Sequence, residues 1–338
     1  MGTGRSEPYD MAAVVHVHST YSDGTAAVPD IIEAAADAEA DVVLLTDHDT
    51  LQARRDGHEG WHHGVLLLVG LEISSNPGHL LAFGLAKKIE HEGRTEEEVC
   101  AAVASAGGLG FLAQPWTVLD DCEATGIELW SLVTEAAEGA VSLRQLASFI
   151  SRPEEAVDRP PQRNLTEWDR LCLTRRVVAI GGLDAHHRGG GIRGGTVLSP
   201  LRNARFFRML RTHLLCERPP TGDLESDRML VLRALREGRC YLGRDSLGAT
   251  RGFRFYANGP AGFLPMGSEG QAGDWTLRAR LPFQGRIRLI RNGQQIRVTT
   301  ASSLDLDVHQ PGVYRVEAQL HSLRRLRTWI LSNPIYLR

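Results

Sequence analysis

The sequence predicts a mixed α/β fold followed by a smaller antiparallel β domain, and three observations predict it. From residue 12 to about residue 182, short apolar runs alternate with helical stretches. After about residue 245 the helical signals stop and strand-like alternation takes over. Polar residues of metal-binding type recur just after the apolar runs, where a strand would end. Strand–helix alternation predicts a parallel sheet or a closed barrel, whose chemistry sits at the C-terminal ends of the strands.

The apolar runs fall at 12–17, 42–46, 65–71, 80–85, 109–112, 127–133 and 177–181. The longest, 65–71, is strand length and too short to span a bilayer. Pro29 opens an Ala-rich helix over 29–40. Thr95 and Glu98 form a capping-box pattern for a helix over 95–106, ended by Gly107. Thr166 is placed to cap a helix to about Arg175, and two more helices are expected at 202–216 and 226–237. Segment 151–165 is polar and proline-rich and reads as a loop. The glycine-rich stretch 189–195 reads as a second loop and lacks the spacing of a dinucleotide fingerprint.

Strands are expected at 253–256, 275–281, 287–290, 296–299, 313–320 and 329–336. In 313–320, Tyr314, Val316, Ala318 and Leu320 alternate with polar residues, one face in and one face out. Asn292-Gly293 marks a type I′ hairpin. These strands predict a small antiparallel β-sandwich, with domain limits at 1–245 and 246–338.

A chain that is 42% hydrophobic and 23% charged has the composition of a globular protein. The first residues show neither the basic start nor the apolar core of a signal peptide. Five widely spaced cysteines without a CxxC pair predict free thiols and a cytoplasmic location, and argue against a thiolate zinc site. Charge is unevenly divided. Residues 246–338 hold 13 arginines, no lysine and 5 carboxylates, whereas 1–245 hold 25 basic and 36 acidic residues. The basic part could meet an anionic partner, dock on the acidic part or present arginines to solvent; the last is the simplest expectation.

His16 and His18 lie two apart at the end of an apolar run, so a strand would put both on one face. The run at 42–46 ends in Asp47-His48-Asp49, and 65–71 ends in Glu72. His79 precedes the next run, Gln114 follows another, and Asp184 and His186 follow the last. Imidazole and carboxylate without thiolate suit Zn, Mn or Fe. The number of such groups exceeds what one ion needs, with Glu72 a natural bridging carboxylate. Glu128 follows the start of a strand, where it would help the site or orient a ligand. Arg54, Arg188 and Arg193 lie near the expected rim, with Arg188 and Arg193 the candidates for an anionic substrate. Ser19 and Ser22 lack a base and an orienting acid of their own, which argues against a serine nucleophile. His58, His62 and His63 read as solvated loop residues.

The stretches HVHSTYSDG, TDHDT, GLEIS, GHLLAFG and GGLDAHH together resemble the PHP (polymerase and histidinol phosphatase) family of metal-dependent hydrolases. The closing TWILSNPIYLR resembles a branch with an appended C-terminal β domain, which includes relatives acting on carbamate esters. The resemblance implies a distorted seven-stranded β/α (TIM-like) barrel with two or three divalent metals at the C-terminal strand ends. It implies His16, His18, Glu72 and Asp184 on a first metal, and Glu72 and His79 on a second. Asp23, His48 and His186 would hold a third. The family usually has His-Pro where this chain has Gln114-Pro115, which predicts a weak second site. The function expected is a phosphoesterase using a metal-bridging hydroxide, with Glu72 and His186 at the reacting centre and Asp49 shuttling the proton. The same site would serve a carboxylic or carbamic ester or amide, and a metal-bound, non-catalytic binding module is the alternative from another class. The expected partner is a small anionic ester. Nucleic acid is a further option because family relatives act on nucleotide 5′ ends, and a membrane partner is not expected. Oligomeric state is not legible.

Overall fold

The first strand is covered on both faces, and the site is built from its end. The computed structural model describes residues 7–76, 78–113, 122–132, 159–184 and 204–338. In chain order the first elements are β1 (Tyr9–Val17), α1 (Val28–Asp37), β2 (Val42–Leu45), α2 (Gln52–Arg55), β3 (Gly60–His62) and β4 (Val65–Val69). Then come β5 (Leu71–Ser74), β6 (His79–Phe83), α3 (Glu96–Ser105), β7 (Leu109–Leu112) and β8 (Gly126–Ser131). They are followed by α4 (Gln162–Thr174), β9 (Val178–Gly182), α5 (Ala204–Phe207), β10 (Arg211–Cys216), α6 (Leu224–Arg236) and β11 (Cys240–Gly243). Next are β12 (Arg254–Gly259), β13 (Gly262–Pro265), β14 (Glu269–Gly270) and β15 (Trp275–Arg291). The last are β16 (Gln294–Val308), β17 (Gly312–Ser322), β18 (Arg325–Ser332) and β19 (Ile335–Leu337).

Two sheets organise the described residues. One runs in the order β13-β12-β15-β17-β18-β11-β10-β1-β2-β4-β3, with β14, β16 and β19 attached beside it. The other runs β5-β6-β7-β8-β9. The β1–β2, β2–β4, β7–β8 and β8–β9 pairings are parallel. Met11, Ala13 and Val15 of β1 share a core with Val42, Leu44, Leu66 and Leu68, and with Leu81, Phe111 and Ile180 from the second sheet. The alternate residues Val14 and Val17 pack on the other side, with α1. A strand buried on both faces therefore reads as a continuous apolar run. Backbone hydrogen bonds join the sheets near the site, among them one from the Glu72 amide to the Asp47 carbonyl at 3.3 Å. The Leu183 amide donates to the Val15 carbonyl at 2.9 Å, and the Asp49 amide to the Glu72 carbonyl at 3.0 Å. Gly70 lets β4 turn into β5, because a Cβ there would lie 2.5 Å from the Ala82 carbonyl oxygen.

Several sequence expectations hold in detail. Pro29 opens α1, and Thr95 and Glu98 form the reciprocal capping box of α3. Asn292 and Gly293 both have positive φ, 51° and 78°, as a type I′ turn requires. Other expectations need correction. The helix expected over 202–216 is confined to α5, and residues 211–216 form β10 instead. Pairing with both β1 and β11 overrides local helix propensity there. Thr166 lies inside α4, its hydroxyl donating to the Gln162 carbonyl, and does not cap it. The strands expected at 275–281 and 287–290 are one strand, β15. Its pairing shifts between Arg280 and Gly285, and it leaves β12 for β17 there. A bent strand of this kind makes the corner of a folded sheet. The ladder continues from β17 through β18 into β11, so the C-terminal strands extend the sheet that holds β1.

The arginine-rich C-terminal part also docks on the acidic part. Arg251 pairs with Asp41 at 2.7 Å, Arg254 with Asp10 at 3.4 Å, and Arg315 with Asp169 at 2.7 Å. Arg280 pairs with Asp305, and Arg288 donates to Glu317. The expectation of simply solvated arginines gives way to these pairs. No helix among the described residues is long and apolar enough to cross a membrane.

The expectation of five free thiols is overturned. Cys100 on α3 and Cys122 ahead of β8 form a disulfide, which leaves Cys172, Cys216 and Cys240 free and buried. Burial pushes each of these three thiols up to about 12. A pairing between cysteines 22 residues apart has no local motif to announce it. In denaturant without reductant, three thiols should react with a maleimide, and five after reduction. Reduction should cost about 3 kcal/mol of stability for a closed loop of this size, measured by chemical denaturation.

At the opposite end of β1 from His16, His213 is buried between Asp10 and Asp245. Its Nδ1 lies 2.8 Å from Asp10, and Tyr241 and Thr250 complete the network. Burial works to lower the imidazole, but hydrogen bonds and charge from Asp10 and Asp245 outweigh it, so it stands above its ordinary 6.5. A raised imidazole contributes stability that is fully present below 6.5 and is lost as pH rises through the folded value. The thermal midpoint should therefore fall on the alkaline side of pH 6.5, and His213→Phe should flatten that slope, read by circular dichroism.

Candidate metal centre

β1 ends in a bulge. His16 adopts a φ of 61° between Val15 and Val17, where the pairing with β2 shifts register. A left-handed backbone is uncommon for a residue with a Cβ, and persists where surrounding contacts determine it. His16 and His18 both reach the centre, their ring centroids 5.2 Å apart. β2 delivers His48 just past its end, bridged to Glu72 at the start of β5. β6 begins with His79, paired in register with Ser74. Asp184, with a φ of 51°, follows β9.

Glu72 is the hub. Its Oε2 lies 3.2 Å from His16 Nε2, 3.2 Å from His18 Nε2 and 3.5 Å from His48 Nδ1, while Oε1 lies 3.7 Å from His79 Nδ1. Asp184 Oδ1 is 3.5 Å from His16 Nε2 and 4.0 Å from His18 Nε2. Asp23 faces His18 Nδ1 at 3.5 Å and His48 Nε2 at 3.7 Å. Among the described residues, three groups have ligand atoms within 4.8 Å of one another: His16–His18–Glu72, His18–Asp23–His48 and His48–Glu72–His79. The cluster runs from buried to open. The side chain of His18 is 0% exposed, whereas His79 is 40% and Asp23 45% exposed.

Most of these separations exceed ordinary hydrogen bonds. They match the ~3.3 Å edge expected between two ligands arranged tetrahedrally around an ion at ~2.0–2.1 Å from each. Charge gives the same answer. Glu72, Glu128 and Asp184 are all buried, and carboxylates removed from water need positive charge beside them. The donor set of imidazoles and carboxylates fits a divalent cation of the Zn, Mn or Fe kind. Burial works to raise Glu72, but His16 and His18 outweigh it and hold the carboxyl well below its ordinary range. For His16, burial works downward, and Glu128, Glu72 and Asp184 together push the imidazole well above its ordinary value. Glu128 is different: burial dominates over His16 and raises it.

The surroundings assign the remaining expected residues. Asp49 turns to the side, where it accepts from the Ser74 amide at 2.9 Å and the Ser74 hydroxyl at 2.7 Å, with His91 Nε2 3.2 Å away. Arg54 is spent on Glu59 and on the Val69 and Leu85 carbonyls, so it braces the fold rather than the rim. Ser19 and Ser22 both donate to Asp47 at 2.6 Å, and the Ser19 amide donates to it at 2.7 Å. Asp47 thereby holds the turn that carries Asp23. Gly24 closes that turn where a Cβ would lie 2.2 Å from the His18 carbonyl oxygen. Sequence reasoning gave Asp47 no role and missed His91. The serines of HVHSTYSDG were a usable signal for Asp47, whereas a lone loop histidine gave none for His91. His58 is half-buried and bonded to the Tyr21 hydroxyl at 3.1 Å, so it is not a merely solvated side chain. Gln114, His186, Arg188 and Arg193 lie outside the described residues.

Three solved structures are similar to all or part of this chain. One is a two-domain protein from Bacteroides vulgatus described as containing a predicted PHP-like metal-dependent phosphoesterase. It is 14% identical with a TM-score of 0.42, covering 98% of this chain and 100% of that one. An inferred metal-dependent phosphoesterase from Bifidobacterium adolescentis is 18% identical with a TM-score of 0.34, covering 57% of this chain and 93% of its own. An amidohydrolase from Chromobacterium violaceum, with bound sulfate and no metal, is 16% identical with a TM-score of 0.36, covering 56% and 93%. No protein of curated function matches the sequence. The family model of the PHP domain matches residues 15–148, the stretch that supplies His16, His18, Asp23, His48, Glu72 and His79.

Proposed function

We propose that the protein is a metal-dependent phosphoesterase. The observation that carries the reading is a buried Glu72 whose two oxygens face four imidazoles at 3.2–3.7 Å. His16, His18, Glu72 and Asp184 would hold a first divalent ion, and Glu72, His48 and His79 a second. Asp23 with His18 or His48, and His186, would hold a third. A neutral imidazole has one lone pair, so His18 and His48 each serve one ion at a time. When bound, such ions lower the pKa of a water and stabilise charge on the oxygens of a displacement.

The chain's own residues do the rest. Glu72 fixes the spacing of the imidazoles. Asp23, His48 and His79 form the open side, from which an anionic ester enters, and Arg188 and Arg193 are proposed to meet it. Asp49, tied to Ser74 and His91, would pass a proton toward that side. The two sheets are best understood as one distorted seven-stranded barrel: β1, β2, β4 running on into β5, β6, β7, β8 and β9. The C-terminal β domain is proposed to begin after Asp245.

His48→Ala should lower turnover of an aryl phosphate ester, assayed with added Mn²⁺ or Zn²⁺, by at least about 10³-fold with the far-UV spectrum unchanged. A matched panel of carboxylic and carbamic esters decides the bond: faster carbonyl hydrolysis than phosphate hydrolysis would replace the phosphoesterase reading. Elemental analysis of the purified protein should give fewer than three metals per chain, and Gln114→His should raise the number. Three tight metals in the unaltered protein would refute the weak second site.

A further inference from the structure

We infer that Glu128 is a positioning residue for His16, and that Gly182 is the gap that lets it act. What His16 does rests on the metal-centre reading above; the contact that holds it does not. Glu128 sits on β8 with a fully buried side chain, and its Oε1 lies 2.8 Å from His16 Nδ1. A carboxylate only accepts hydrogen bonds, so this contact places a proton on Nδ1 and commits Nε2 to the other side of the ring. On that side Nε2 meets Glu72 at 3.2 Å and Asp184 at 3.5 Å. An imidazole without such a partner can present either nitrogen and can turn about its own bonds. The left-handed backbone at His16 aims the ring, and Glu128 fixes which atom it presents.

Gly182, the second glycine of GGLDAHH, supplies the space. A Cβ there would lie 1.9 Å from Glu128 Oε1 and 2.8 Å from His16 Cβ. Its φ is not among the positive ones, so the demand at this position is for room and not for a glycine-only conformation. A methyl at 182 would push the carboxylate off the imidazole without altering a single polar group. Gly182→Ala is therefore a second perturbation of the same contact, and because the new methyl crowds both Glu128 Oε1 and His16 Cβ it acts on both partners. Outer partners of ligating histidines are worth 10–100-fold in metal affinity where they have been removed. A merely structural Glu128 would change stability but neither the affinity nor the Nδ1 proton.

The test uses the full chain, with Zn²⁺ alone as the probe in competition with a chromophoric chelator. Glu128→Leu and Gly182→Ala should each weaken the tightest Zn²⁺ site by roughly 10–100-fold, and Glu128→Gln, which keeps an acceptor oxygen, by less. In ¹⁵N-histidine-labelled protein without added metal, a His16 Nδ1–H resonance, assigned by its loss in His16→Asn, should be present in the wild type and in Glu128→Gln. It should vanish in Glu128→Leu and Gly182→Ala. Affinity within twofold of wild type in all three folded variants, or a persistent resonance in Glu128→Leu, would overturn the inference. Wild-type protein that takes up no Zn²⁺ would instead sink the metal-centre reading, and the resonance alone would then decide the role of Glu128. If Glu128→Leu fails to fold, Gly182→Ala carries the same decision.

Discussion

The burial of Glu72 is the constraint on which the rest of the site depends. A carboxylate 5% exposed, away from bulk water, is tolerable only if positive charge or hydrogen-bond donors surround it. Here His16, His18, His48 and His79 arrive from β1, from the loop after β2 and from β6. Each element is held by its own apolar packing, so the imidazoles are placed before any ligand arrives. The bridge between His48 and Glu72 ties the end of β2 to the start of β5 at this point. The site is thus a seam between two sheets, fixed by the same backbone contacts that join them.

What was legible in the sequence follows from the range of the interactions. The two histidines ending an apolar run, the TDHD turn and the capping box at Thr95 are local, and a spacing reveals them; simple alternation does not bring His16 and His18 together, because His16 is a left-handed bulge and His18 lies just past β1. The type I′ turn at Asn292-Gly293 is local in the same way. The features that escaped are pairings across long stretches of chain. The Cys100–Cys122 bridge and the His91–Asp49 contact link residues with no shared pattern, and the capture of Ser19 and Ser22 by Asp47 left its only signal in the serines of HVHSTYSDG. The strand at 211–216 escaped for a related reason. Its partners lie on both sides, β1 and β11, far away in sequence, and pairing decides its state more than propensity does.

The uneven charge along the chain becomes intelligible once the C-terminal strands are in place. Arg251 and Arg254 reach Asp41 and Asp10, and Arg315 reaches Asp169 on α4. The Arg251–Asp41 pair is half-exposed, and such pairs are worth little individually. Arg315 is buried, however, and its two bonds to Asp169 leave the guanidinium in the fork geometry that carboxylates match best. Together with the hydrogen-bond network around His213, these contacts attach the basic part to the end of the sheet opposite His16. Three arginines of 246–338 therefore serve attachment, while Arg280 and Arg288 pair within the C-terminal part itself.

Two of the groups facing Glu72 or its imidazoles sit on left-handed backbone: His16 with a φ of 61° and Asp184 with 51°. Each such residue costs on the order of 1–3 kcal/mol, so something nearby must offset it. The Leu183 amide on the Val15 carbonyl brings the two residues together, because it anchors the residue before Asp184 to the residue before His16. One backbone hydrogen bond thus sets both bends against each other, and Gly182 keeps the space between them open. An imidazole and a carboxylate from β1 and β9 can meet at 3.5 Å only because each chain turns out of its strand at that level. The unfavourable backbone is the means by which two neighbouring strands direct side chains toward a common point instead of along parallel lines.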